Sequence, residues 1–378
     1  QRISLREAIT AANNTANGAT PDKIVFGING FDAHTIALTS LLPTASQAVV
    51  IDGTSDDSFA VQGDQPAIVL DGGGVVQDGL RLYTGSGGST VRGLDLQRFT
   101  QDAIDISGSN GNTVAGNWIG VGTDGVTDRG NQQGVNVWNA NNNVIGGSTA
   151  ADRNVIAGNS GMGIWLGGGA TGNQIQGNYV GTTAAGDAAL RNDVDGILIE
   201  SAGNTVGGIQ AGQRNVISGN GRTGIMINLV AATGNVVIGN YIGTDSTGTA
   251  DLNGTAHTSG LSGVVIVGGA SGNRIGTNAD GSSDTAERNV ISGNNWYGVE
   301  LIGSGTSNNV VQGNYIGTDV TGLVALGNSQ GGASFWNGAS GNQVGSGLTG
   351  AGNVISGNET GVLVANGVSN NRVQGNLI

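Results

Sequence analysis

Few residues in this chain could do chemistry. Its 378 residues include two His, no Cys, and 11% charged residues. Lys23, His34 and His257 lie far apart in the stack of repeats and do not converge. Two compact acidic pairs stand out: Asp102 with Asp105, and Asp193 with Asp195. Two carboxyl groups roughly 5–9 Å apart can hydrolyse a glycosidic bond, one as acid and the other as nucleophile or base. Proton abstraction next to a carboxylate asks for a base and a positive group to neutralise developing charge. Asp193, Asp195 and His257 are the catalytic candidates on these grounds, against the plainer reading of Asp193 and Asp195 as a solvated turn. No Ser/His/Asp set and no His/Cys/Asp metal cluster is legible.

Three further sets of residues recur. The loops Gly243 to Gly248 and Gly317 to Gly322 share a Gly-Thr-Asp-x-Thr-Gly phrase. Asp245 and Asp319 could bind Ca²⁺ there with loop carbonyls, and no other cofactor is expected. Calcium takes six to eight oxygens, usually from several carboxylates. Each loop offers one, and the related loops carry Thr183 and Gly122 instead. An Asx-turn closing the loop is the simpler account. Trp118, Tyr179, Tyr241 and Tyr315 each follow an Asn at every second unit. Exposed at a spacing of roughly 10 Å, they could stack on sugar rings and bind a polysaccharide. The favoured alternative is that the loop starting just after each ring folds back over it, since bare apolar stripes are uncommon. Arg153, Arg214 and Arg288 precede the Asn-Val-Ile phrases and could bind an anionic polymer. Asp152 and Glu287 sit beside two of them, so screened surface pairing is the blander expectation.

The elements that position these residues are repeats. Asn-Val-Ile-Ser-Gly-Asn occurs at 215–220, 289–294 and 353–358, with Asn-Val-Ile-Ala-Gly-Asn at 154–159. Gly-Asn-Tyr-Ile-Gly-Thr at 239–244 and 313–318 fills the same slot in the alternate units. Loops inserted on alternating sides make the spacing uneven. Without them the period is about 22 residues, in pairs of about 61. From Gly79 onward a small residue opens an alternating run in each unit, such as Gly163-Ile-Trp-Leu and Gly196-Ile-Leu-Ile. Alternation sends the first and third residue after the Gly to one side and the middle one to the other. Two columns are then aliphatic: Ile104, Val135, Ile164 and onward, and Ile106, Val137, Leu166 and onward. The column between them is mixed, with Asp105, Asn136, Trp165 and Glu300 facing outward. Asp102 and Asp195 share one place ahead of the run, three units or about 14 Å apart, too wide for a glycosidase pair.

Links this short leave no room for crossover helices. The chain is therefore expected to be all-β, a parallel solenoid of about 11–12 coils with three strands per turn. Gly and Asn serve the left-handed corners, and stacked Asn amides bond from coil to coil. Ahead of it, Ser4 and Glu7 form a capping box for a short helix over 4–13. Residues 1–78 read as cap helix and irregular first coils, and 79–378 as regular coils. The last strand carries no capping repeat, which predicts continuation beyond residue 378 or docking on a partner, including end-to-end self-association.

Composition sets limits. The net charge of -13 argues against nucleic acid as a partner. No apolar run reaches the roughly 18 residues of a membrane span. The coils resemble the right-handed, single-stranded parallel β-helix repeats of pectate lyases, alginate epimerases and many bacterial surface proteins. Ser4-Leu5-Arg6-Glu7-Ala8-Ile9 resembles the CSLREA-type segment of exported bacterial proteins, with Ile3 in place of the usual Cys. The resemblance implies an extracellular or cell-surface protein. The regularity of the coils favours a structural or interaction module of a surface, filament or adhesin-type protein. The alternative is a carbohydrate-active enzyme (lyase, epimerase or glycoside hydrolase), with the irregular stretch Asp251 to Ser262 as its site, or a glycan-binding surface.

Overall fold

A computed structural model describes residues 3–63, 65–253 and 262–378. Its strands form three parallel ribbons that wind as a right-handed β-helix. Sheet A has 12 strands, sheet B 11 and sheet C 10, so the coil number expected from the repeat holds. Sheets A and B run through the first coils without interruption, while sheet C begins only at the strand Leu80–Tyr83. The helix Leu5–Asn14 carries the expected capping box, and it places Leu5, Ile9 and Ala12 on the open end of the core.

The interior follows from alternation. The two aliphatic columns of sheet C are fully buried, from Ile104 and Ile106 to Ala333 and Phe335. Their registers are unbroken: Ile104 faces Val135, Val135 faces Ile164, and Ile164 faces Ile197. Each buried aliphatic side chain contributes about 1.5–3 kcal/mol. Sheets A and B add Ile145, Ile175, Val206 and Ile119, Ile156, Val180 to the same core.

Three asparagine ladders stand at the three corners. One runs from Asn117 through Asn154, Asn178, Asn215, Asn240, Asn289, Asn314 and Asn353 to Asn376. In each rung an amide Nδ2 donates to the next Oδ1, as from Asn117 to Asn154 at 3.1 Å and from Asn240 to Asn289 at 3.0 Å. The same Oδ1 also accepts the backbone N–H of the preceding Asn, at 2.9 Å for Asn117. The other ladders pass through Asn112, Asn143, Asn173 and Asn204, and through Asn131, Asn159, Asn192 and Asn220. Repeat reading found only the first. Every rung satisfies buried amides that would otherwise cost about 1–3 kcal/mol each.

Glycines at the corners are forced by this crowding. Gly243 has φ +94°, and a Cβ there would stand 2.3 Å from the Ser292 carbonyl and 2.6 Å from Asn294 Oδ1.

The inserted segments after the aromatic strands are small hairpins, closed by Val121 with Asp128, Thr182 with Ala189, Thr244 with Asp251, and Thr318 with Ala325. Successive hairpins stack: Ala184 N–H donates to Gly125 O, Ser246 N–H to Gly186 O, and Val320 N–H to Gly248 O. They form a second layer over sheet B.

Candidate active site

The outer face of sheet C carries the densest group of polar side chains. Register places Arg81 beside Asp105, Asp105 beside Asn136, and Asn136 beside Trp165, on four successive coils. A parallel column holds Tyr83, Ser107 and Trp138, and Asp102 faces Gln133 at the strand entrance. Alternation turns these side chains away from the core, and the neighbouring coils bring them together.

One amide ties the two carboxyl groups. Asn136 Nδ2 donates to Asp102 Oδ2 at 3.3 Å and to Asp105 Oδ1 at 3.1 Å. Two hydrogen bonds on one nitrogen hold those oxygens roughly 5–6 Å apart. Tyr83 Oη donates to the other Asp105 oxygen at 2.7 Å. Burial, then the charges of Asp105 and Asp78, push the Asp102 carboxyl up to about 7. Asp105 is also raised, chiefly by burial, while Tyr83 and Asn136 oppose the shift. Burial and the Asp105 carboxylate push the Tyr83 phenol up to about 12, so it stays a donor. Three buried oxygens in this group, Asp102 Oδ1, Gln133 Oε1 and Asn136 Oδ1, have no hydrogen-bond partner among the described residues. Unmet buried acceptors are rare in native proteins and mark a place for a donor such as a hydroxyl.

Aromatic rings border the pair. Trp138 is 43% exposed and meets Trp165 edge to face at 5.2 Å. Trp165 Nε1 donates to Glu200 at 3.0 Å, and Asn228 holds the other Glu200 oxygen at 3.3 Å. The arrangement offers an amide-bridged carboxyl pair, a neutral phenol and an indole platform on one face.

The other candidates are dispersed. Asp193 makes a surface ion pair with Arg191 at 2.8 Å, both about half exposed. Asp195 is buried, accepts the Thr223 N–H at 3.0 Å, and is raised by burial. It stands on the same face as Asp102, three coils away. His257 lies outside the described residues. Lys23 pairs with Asp52 at 2.9 Å, and His34 approaches Asp56 at 3.8 Å. Asp245 spends its oxygens on Thr247, Thr249 and Ala250 of its own loop, and Asp319 does the same with Thr321, Leu323 and Val324. These bonds hold both carboxyls below the ordinary range, against the opposing effect of burial, which is the largest single influence on Asp245. Among the described residues no three His, Cys, Asp or Glu side chains group to hold a metal.

The aromatic column on sheet B lies beneath the hairpins. Trp118, Tyr179 and Tyr241 are buried and Tyr315 is half-buried, packed with Val155, Val216, Val290 and the loop residues Leu190 and Val320. The arginines do not pair with Asp152 and Glu287. Instead Arg153, Arg214 and Arg288 lie over the rings of Tyr179, Tyr241 and Tyr315 at 4.1–4.2 Å. Glu287 is taken by Arg274 at 3.3 Å, and Asp152 caps Thr149. A guanidinium over a ring face gains cation–π energy of about 0.5–2 kcal/mol, which an exposed ion pair rarely matches.

Sequence reading saw Asp102 and Asp105 as a pair but missed their convergence with Tyr83, Gln133 and Asn136. A signal was present: two polar members of the outward column, Asp105 and Asn136, are adjacent at its first entries, ahead of Trp165 and Leu198.

Comparison with protein-family models and with curated proteins found no match. Among solved structures, the chain is similar to the A-module of the Azotobacter vinelandii mannuronan C-5 epimerase AlgE6, at 15% identity and TM-score 0.44, covering 99% of this chain and 93% of that one. It is similar to an alginate lyase from Paenibacillus sp. str. FPU-7 at 13% identity and TM-score 0.37, covering 89% and 99%. The catalytic domain of a GH87 α-1,3-glucanase in complex with nigerose matches at 14% identity and TM-score 0.41, covering 99% and 67%. At such identities the likeness concerns the parallel β-helix architecture alone.

Proposed function

We propose that this chain is a carbohydrate-active β-helix protein that hydrolyses a glycan across the outer face of sheet C. The observation that carries the reading is the Asp102–Asp105 pair, bridged by Asn136 and bordered by the exposed indole of Trp138. Asp102, with its carboxyl near 7, is the general acid toward the leaving oxygen. Asp105 is the nucleophile, oriented by Tyr83 and Asn136. The separation of roughly 5–6 Å fits direct attack and retention of anomeric configuration better than the wider gap that admits a water. Trp138 stacks on a sugar ring.

The test is a product assay on a panel of neutral and uronate polysaccharides, with anomeric configuration read by NMR. Release of new reducing ends, lost by about 10²–10⁴-fold in Asp102→Asn, is the expected result. Absence of cleavage across the panel, or cleavage that persists in both Asp102→Asn and Asp105→Asn, would sink it.

A second reading is a stiff structural or interaction module of an exported surface, filament or adhesin-type protein. The continuous asparagine ladders and the hairpin layer sealing sheet B favour it. An extracellular or cell-surface location goes with both readings, and fractionation of the producing cells checks it.

A further inference from the structure

Sheet B carries its own anomaly. Its outward column is apolar at Val69 and again from Trp118 through Val155, Tyr179 and Val216 to Val354, but Asp95 interrupts it. The hairpin above breaks its pattern at the matching place. Leu190, Leu252 and Leu326 each donate their backbone N–H to the Gly that opens their hairpin, and Arg129 makes the same bond to Gly120. Where Leu190 packs down onto Trp118 and Val155, the first hairpin instead carries Arg129, whose charge acts on Asp95. The apolar seal becomes a cleft of about 530 Å³ lined by Asp71, Gln97, Arg98, Asp124, Thr127 and Arg129.

Most of these groups are already engaged. Arg98 is ion-paired with Asp71. Asp124 accepts the N–H groups of Val126 and Thr127 and the Thr127 hydroxyl. Gln97 Nε2 donates to Asp95 Oδ2 at 2.8 Å. Two groups are left over. Among the described residues Arg129 makes no side-chain hydrogen bond or ion pair, and Asp95 Oδ1, fully buried and outside the lining of the cleft, has no partner. A guanidinium on a cleft wall with no side-chain partner of its own can receive a planar anion.

The geometry points to a binding site for a sugar acid, a monocarboxylate of monosaccharide to disaccharide size, with its carboxylate on Arg129 and its hydroxyls toward Gln97 and Thr127. The cleft volume lies in the range that encloses small ligands, about 300–1,000 Å³. A compact dianion such as phosphate is disfavoured, because Asp71 and Asp124 line the same walls. Burial keeps the Asp95 carboxyl well above the ordinary range, so it adds no third charge. The cleft lies on a different sheet from the Asp102–Asp105 pair, and it stands whether or not that pair is catalytic.

Titration calorimetry of the whole chain with galacturonate, glucuronate, the parent neutral hexoses, short uronate oligomers and inorganic phosphate tests the assignment. Saturable uronate binding, about tenfold or more tighter than the neutral sugars, is expected from one charge-assisted contact. Tighter binding of oligomers would identify a polymer end as the source, and equal binding a free sugar acid; each outcome keeps the carboxylate contact. Arg129→Leu restores the residue of the other hairpins, so it should fold, and it should weaken uronate at least about tenfold while leaving neutral sugars unchanged. Arg129→Lys should recover part of the loss. Asp102→Asn should leave the binding intact. No saturable uronate binding, equal affinity for neutral hexoses, stronger binding of phosphate, or indifference to Arg129→Leu would overturn it.

Discussion

Asp105 and Glu300 are both buried carboxyls raised by burial on the outer face of sheet C, and they differ in what surrounds them. Glu300 stands six strands beyond Asp105, or roughly 29 Å along the ribbon. Its carboxylate accepts the Ser262 hydroxyl at 2.5 Å and a bond from Trp296. Around it Trp296, Tyr297 and Trp336 pack edge to face at 5.8 and 6.3 Å. Glu300 is a lone acid with its own donors, set in an aromatic pack. Asp102 and Asp105 form a pair sharing one amide, with three neighbouring oxygens unmet. A raised carboxyl is thus common to a structural and a chemical setting. The second carboxyl separates them, since among the described residues unmet polar atoms occur at both, as Ser334 Oγ and Trp336 Nε1 on the Glu300 side.

The sharpest way to break this comparison is activity. Asp102→Asn and Asp105→Asn should each lower glycan cleavage by about 10²–10⁴-fold, while Glu300→Gln leaves it within about twofold. An equal loss at Glu300 would merge the two settings.

Stability against pH gives the next contrast. The folded Asp102 carboxyl is raised from 3.8 to about 7, so the native state holds a proton that the unfolded chain has released. Its contribution is fully present below the unfolded value and is lost as pH rises through this window. The loss is on the order of a few kcal/mol at neutral pH. Asp102→Asn should flatten denaturant-unfolding stability between those pH values. Glu300→Gln should flatten the curve above the ordinary Glu range, since that carboxyl is raised as well. The pH–rate profile should fall above about 7 as Asp102 loses its proton.

Smaller effects follow from the donors. Tyr83→Phe removes the phenol that favours ionised Asp105. It should raise the lower limb of the pH–rate profile by about one pH unit or less, the scale of one hydrogen bond. Ser262→Ala should cost about 1 kcal/mol in unfolding and leave the profile unmoved. A shift of the profile in Ser262→Ala would place Glu300 in the reaction.

Legibility tracked distance along the chain and closeness to the repeat. The Ser4–Glu7 capping box and the aliphatic columns were readable, because both depend on spacings of a few residues. The first asparagine ladder was readable because its Asn precedes a strand in every coil. The two at the other corners were not, since Gly and Ser crowd those turns and blur the register. The sequence allows Trp118 and the tyrosines to meet either sugars or loops, and favours the loops. The stacked hairpins lie over them, and arginines flank three of the four rings. The expected pairing of Arg153 and Arg288 with their neighbouring acids failed because the ring faces lay closer to each guanidinium.

Sequence alone determined the inside of this protein. Alternation with period two and recurrence near 22 residues dictate which side chains face the core and that coils stack in parallel, because both are properties of the local chain. Only the tertiary structure decided the outside. Tyr83 meets Asp105 from 22 residues away, and Asn136 meets Asp102 from 34. Arg129 reaches its cleft from the hairpin position that Leu190, Leu252 and Leu326 fill in the other copies. An outward side chain takes its environment from neighbouring coils and inserted loops, and burial in that environment sets whether its carboxyl is charged.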